Sequence, residues 1–102
     1  MNLALKVNDL DNVATIFAVD VRDGDEVIIR DKKGNDELAT ILGAVPYGHK
    51  IAVKDICIGE DIIKYGEAIG IATANIVKGE YVHIHNLDSK RARGDWEQEA
   101  HK

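Results

Sequence analysis

Short apolar runs rich in Val and Ile alternate along this chain with clusters of Gly, Asp and Asn. No stretch carries an i, i+3, i+4, i+7 apolar stripe beyond about two turns, so the pattern predicts strands rather than long helices. Leu3-Ala4-Leu5-Lys6-Val7 predicts a first strand with Leu3, Leu5 and Val7 on one face, and Asp9 to Asn12 a turn. Val13 to Val19 predicts a second strand, apolar on both faces at Ile16-Phe17-Ala18 and therefore buried. Glu26 to Arg30 and Glu37 to Leu42 flank Asp31-Lys32-Lys33-Gly34-Asn35-Asp36, an exposed hairpin loop whose chemistry is solvation.

An internal repeat organises the chain. Ala18 to Val27 can be laid over Val53 to Ile62 and over Thr73 to Val82. Each copy places Asp or Asn four residues before a Gly and Val or Ile three before it. Each then has an acid directly after the Gly and Val or Ile three after it. This spacing predicts a strand running into a single helical or 3₁₀ turn. Asp or Asn caps the turn, the β-branched residue fills the core, and Gly takes φ > 0 on leaving. Such Gly corners describe a small, bent, all-β domain, too unevenly spaced for a solenoid.

Composition narrows the function classes. A chain of 102 residues supports one core, with little left over for a deep substrate pocket. Thirteen basic against eighteen acidic side chains give a net charge of −5, which argues against nucleic-acid binding, because phosphate neutralisation needs clustered Lys and Arg. No apolar run is long enough for a membrane-spanning helix or a signal-peptide core. The single Cys57 excludes an intrachain disulfide framework and fits a cytoplasmic setting. Flanked by Ile56 and Ile58, it is expected to be a small buried hydrophobe. Residues 88–102 are charged and lack β-branched residues, which predicts a tail or linker after a domain spanning 1–87. Trp96 is its one apolar anchor, suited to docking on a partner.

Three segments carry candidate chemistry. Pro46-Tyr47-Gly48-His49-Lys50 is a rigid turn opening into a strand; it reads either as a solvated turn or as a site where His49 is a general acid or base beside Lys50. His83-Ile84-His85-Asn86 follows the third Gly corner. On a strand, His83 and His85 would share a face and chelate a divalent metal while Ile84 points into the core, although a catalytic site needs a further ligand. The alternative is a pair of exposed His, with Asn86 as a turn residue. Ile62 to Gly70 reads as strand, Gly turn, strand, with Lys64 and Tyr65 on opposite faces and Lys64 able to meet a carboxylate. No Gly-rich loop precedes a helix, so nothing points to a nucleotide.

In combination these segments are far more specific. Asn12-Val13-Ala14, Gly48-His49-Lys50-Ile51-Ala52, Ile63-Lys64-Tyr65-Gly66 with Ile69-Gly70, and Gly79-Glu80-Tyr81-Val82-His83-Ile84-His85-Asn86 occur in an order that resembles the N-terminal domain of the altronate dehydratase family. Galactarate dehydratase and the small subunit of sulfolactate sulfo-lyase belong to the same broader group. Ser89 to Asp95 is similar to the stretch that follows this domain in altronate-type members. The resemblance implies an SAF-type β-clip fold and a lyase that removes water from a sugar acid. It implies a divalent metal, iron(II) or manganese(II), completed by a large catalytic subunit. It places His49 and Lys50 in catalysis or at the subunit interface, Lys64, Tyr65 and Asn86 at the substrate, and His83 and His85 on the metal. The long catalytic region of the family is absent from this sequence. The chain is then either a small subunit or a fragment, the N-terminal domain, of a longer enzyme; beginning at Met1 and ending in a charged tail favours the small subunit, inactive alone, with room for a homo-oligomer. A sulfo-lyase subunit and a non-catalytic SAF binding or assembly module are the alternatives.

Overall fold

A computed structural model describes residues 2–89. Among them are nine strands and no helix: β1 (Asn2–Lys6), β2 (Val13–Ile16), β3 (Glu26–Asp31), β4 (Asp36–Thr40), β5 (Lys50–Ala52), β6 (Asp61–Lys64), β7 (Glu67–Ala72), β8 (Tyr81–Val82) and β9 (Leu87–Ser89). They form a six-stranded sheet in the order β4-β3-β1-β2-β5-β8 and a three-stranded sheet in the order β6-β7-β9. Neighbours pair antiparallel except β1 and β3, which run parallel. The all-β expectation holds; Asp88 and Ser89, assigned from sequence to the tail, pair with β7 as part of β9, while the rest of that tail, Trp96 included, lies outside the described residues.

β2 and β5 lie between two apolar cores and feed both. Ala14, Ile16, Ile51 and Val53 pack into one core with Val27 and Ile41. Val13 and Ala52 face the other, with Ile56, Ile62, Ile76 and Val82. Side chains alternate across a strand, so a strand flanked on both sides buries both of its faces, and all four residues of β2 are buried, the polar Thr15 included. Phe17 lies past the end of β2 and is exposed, so the buried stretch is shorter than the hydrophobic run implies.

Buried Asp11 and Asn12 tie the sheets together. The Asn12 side-chain NH₂ donates to the Asp61 carbonyl at 2.8 Å, its Oδ1 accepts from the Ile63 N–H at 2.7 Å, and its backbone N–H donates to the Ile63 carbonyl. Asp11 accepts the Gly66 N–H at 2.8 Å. The β6–β7 hairpin is thereby pinned against β2. Its turn places Tyr65 at φ 54° and Gly66 at φ 77°, two left-handed residues as a tight hairpin requires.

The Gly corners are hydrogen-bonded β-turns, not the helical or 3₁₀ turns the spacing suggested. The N–H of the residue after Gly donates to the carbonyl three residues back: Asp25 to Arg22, Glu60 to Cys57 and Glu80 to Val77. The acid after Gly closes each turn from the other side, its carboxylate accepting the N–H of that same earlier residue. Asp55 and Asn75 cap across the pair of corners instead of within their own: Asp55 accepts the Lys78 N–H and Asn75 the Ile58 N–H. Cys57, whose N–H is one of those held, starts such a turn and is exposed, which corrects its reading as a buried hydrophobe.

Candidate functional site

A fourth corner, Pro46-Tyr47-Gly48-His49, has the same backbone pattern. The His49 N–H donates to the Pro46 carbonyl, and Gly48 stands at φ 80°. Gly48 and His49 exchange hydrogen bonds with Ile16, as Gly24 and Asp25 do with Ile41. Val45 bridges to Val21 of the first corner, just as Ile76 bridges to Ile56. Only the cap differs. Proline has no N–H to be capped, and the residue after the glycine is a histidine instead of an acid. His49 is therefore free of the duty that Asp25, Glu60 and Glu80 perform.

What His49 meets is set by strand register. Lys50 pairs with Val82 and Ile51 with Tyr81 between β5 and the edge strand β8, so continuing one step places His49 opposite His83. Their ring centroids lie 4.9 Å apart. The Tyr81 hydroxyl is 2.6 Å from His49 Nδ1, and its ring stacks on His83 at 5.6 Å and 9°. His85 also lies beside Tyr81, at 5.4 Å between centroids. Three imidazoles thus gather round one phenol.

His83 and His85 reach this cluster from a turn and not from a strand, because β8 ends at Val82. Asn86 folds the chain back: its N–H donates to the His83 carbonyl and its Oδ1 accepts the His83 N–H at 3.0 Å. Its side-chain NH₂ donates to the Tyr81 carbonyl at 2.9 Å and lies 3.4 Å from Glu80 Oε2. Ile84, expected in the core, protrudes from that turn and is 79% exposed. Asn86 itself is buried, so the structure gives its side chain a positional task.

Lys50 and Lys64 complete the patch. Lys50 is half-buried, and burial, with Lys64 nearby as a like charge, holds its ammonium below the usual lysine range. Lys64 and Tyr65 share a side instead of facing opposite ways: the ammonium stands 4.9 Å from the Tyr65 ring centroid. Among the described residues neither lysine is in an ion pair, although the chain as a whole is acidic. His83 is also pushed below the ordinary histidine range, by partial burial first and then by His49, Lys50 and His85. The arrangement can bind an anion and exchange a proton with it. Sequence reasoning singled out every member except Tyr81. Its signal lay in the i, i+2 spacing from His83 within the strand segment after Gly79.

The donor set is suited to a borderline divalent ion in type but not in number. Imidazole nitrogen suits iron or zinc better than manganese, which prefers oxygen ligands, and among the described residues no three His, Cys, Asp or Glu converge on one point. Nor is any helix there long and apolar enough to cross a membrane, a statement that does not bear on β-barrels.

The profile of the altronate/galactarate dehydratase SAF domain matches residues 2–90. Altronate dehydratase of Escherichia coli is 38% identical over 100 residues, covering 91% of this chain and 19% of that protein. The (2R)-sulfolactate sulfo-lyase subunit alpha of Chromohalobacter salexigens is 30% identical over 93 residues, covering 89% of this chain and 99% of that subunit. Galactarate dehydratase (L-threo-forming) of Escherichia coli is 36% identical over 78 residues, 76% of this chain and 14% of that protein. The chain thus spans about a fifth or less of the two dehydratases and nearly the full length of the sulfo-lyase subunit. With the match running from β1 through the His83–Asn86 turn, the chain belongs to the altronate/galactarate dehydratase SAF domain family.

Proposed function

We propose that this chain is the SAF component of a sugar-acid hydro-lyase and works against a large catalytic chain that supplies the rest of the active site. The reaction eliminates water from an aldonic or aldaric acid. A base removes the proton α to the carboxylate, cationic groups stabilise the enediolate-like charge, and an acid assists the departing hydroxyl. His49 exchanges the proton, with Lys50 beside it in catalysis. Lys64, backed by Tyr65, holds the carboxylate, and Asn86 keeps the turn in place beneath the substrate. The observation that carries this reading is His49 set 4.9 Å from His83 between ring centroids, one residue from half-buried Lys50, whose ammonium feels Lys64 as a like charge, with neither lysine ion-paired among the described residues. The exposed free thiol of Cys57 is compatible with the reducing cytoplasm, where we place the activity.

The test is assembly. The chain alone, the large chain alone and the two together are assayed with altronate, galactarate and (2R)-sulfolactate. Elimination is expected only from the combination; turnover by the large chain alone at the same rate contradicts the reading. Removal of sulfite from (2R)-sulfolactate is the second reading. Its support is the sulfo-lyase subunit alpha, which this chain matches along nearly its whole length. A divalent iron(II) or manganese(II) ion, bound in part by His83 and His85 and otherwise by the large chain, would supply Lewis acidity to the leaving group. Manganese(II) binding by the assembled enzyme is expected to weaken at least about tenfold in the His83→Ala/His85→Ala variant. Unchanged affinity removes those ligands from the assignment.

A further inference from the structure

We infer that Tyr81 is the positioning residue for His49, holding its imidazole by Nδ1 so that Nε2 is the nitrogen left to meet a ligand. This rests on the proposed role of His49 and adds the group that aims it. At three corners the residue after glycine is held by its own turn, its carboxylate bound to a backbone N–H. At the fourth, Pro46 offers no N–H, and a side chain in that place would be free to rotate. The Tyr81 hydroxyl takes over the holding, 2.6 Å from Nδ1. Tyr81 is itself well fixed. It lies on edge strand β8 opposite Ile51, its carbonyl is held by buried Asn86, and it is packed against the first core. Its ring stacks on His83, which in turn lies 4.9 Å from His49, so the imidazole is confined on two sides. A ring fixed at one nitrogen by a neighbour presents the other in a defined direction, which proton transfer requires; the hydroxyl can give or take the hydrogen bond, and the ring-nitrogen shifts read which tautomer it holds.

Tyr81→Phe keeps the stacked ring and removes only the hydroxyl, so it separates positioning from packing. The first readout is the pair of His49 ring-nitrogen chemical shifts in the full 102-residue chain, with the imidazole neutral. A single-tautomer pattern is expected in the native chain and an averaged one in Tyr81→Phe, with the ring-current shifts of His83 preserved. The second is turnover of altronate or (2R)-sulfolactate by the assembled enzyme. Tyr81→Phe is expected to lower kcat about tenfold or more with little change in KM. Identical His49 nitrogen shifts in both chains overturn the inference. So does an altered tautomer pattern with unchanged kcat, for then the orientation that Tyr81 imposes is not one the reaction needs. His49→Ala in the same assay tells the two failures apart. If it too turns over normally, the proposed function of His49 has failed; if it is impaired, only the positioning has.

Discussion

At the residue scale, the exchange of an acid for histidine after Gly48 is intelligible only together with Pro46. An acid at that position elsewhere in the chain accepts an N–H three residues back, and Pro46 has none to give. A double-mutant cycle can read this coupling. His49→Glu is expected to add no stability in the native background, where it also loses the Tyr81 bond. In the Pro46→Ala background the Tyr81 bond is lost as well but a backbone N–H is there to be capped, so the same change should come out about 1 kcal/mol more favourable than in the native background by denaturant unfolding, the ordinary net value of a hydrogen bond. Equal effects in both backgrounds would mean that the cap does not account for the substitution. His49, Lys50, Lys64 and His83 were legible in the sequence as titratable side chains set in short apolar segments, His49 directly after a Gly. Tyr81 was not singled out, since its i, i+2 spacing from His83 does not by itself reveal the cross-strand register that sets it against His49.

At the scale of elements, three corners were visible from spacing alone and the fourth was hidden. Val45 and Ile51 keep the pattern around Gly48, but Ala44 and His49 break it at the polar positions. The capping side chain was also misjudged. The spacing suggested Asp or Asn within its own corner, whereas Asp55 and Asn75 bond across a pair of corners that only the folded chain brings together. Nor did alternation warn that β8 stops at Val82, because His83-Ile84-His85 alternates like a strand and buried Asn86 turns it aside. Two glycines separate backbone conformation from close approach. Gly59 and Gly79 have nearly the same φ, 90° and 91°, but a Cβ would meet open space at Gly59 and would collide with the Thr40 carbonyl at Gly79. Gly59→Ala is expected to cost about 1–2 kcal/mol, from the left-handed conformation alone. Gly79→Ala should cost about 3–5 kcal/mol, since the backbone must also move. Equal losses in denaturant unfolding would contradict the packing of that corner against β4.

For the molecule as a whole, the bent all-β architecture followed from composition and the Gly punctuation, and the apolar run at Ile16 announced that β2 is buried on both faces. The junction of the two sheets did not. It is made by Asp11 and Asn12 to groups about fifty residues away, and in sequence these two look like any polar turn. That junction fixes the β6–β7 hairpin and so brings Lys64 near Lys50, which makes the patch a property of the complete fold. The account therefore stands on His49 acting on a substrate that a second chain helps to hold. The most direct measurement is kcat of the enzyme assembled from this chain and a large catalytic chain, native against His49→Ala. The account predicts a fall of about a hundredfold or more, the usual contribution of a general acid or base. Native turnover from an assembled His49→Ala enzyme would contradict it.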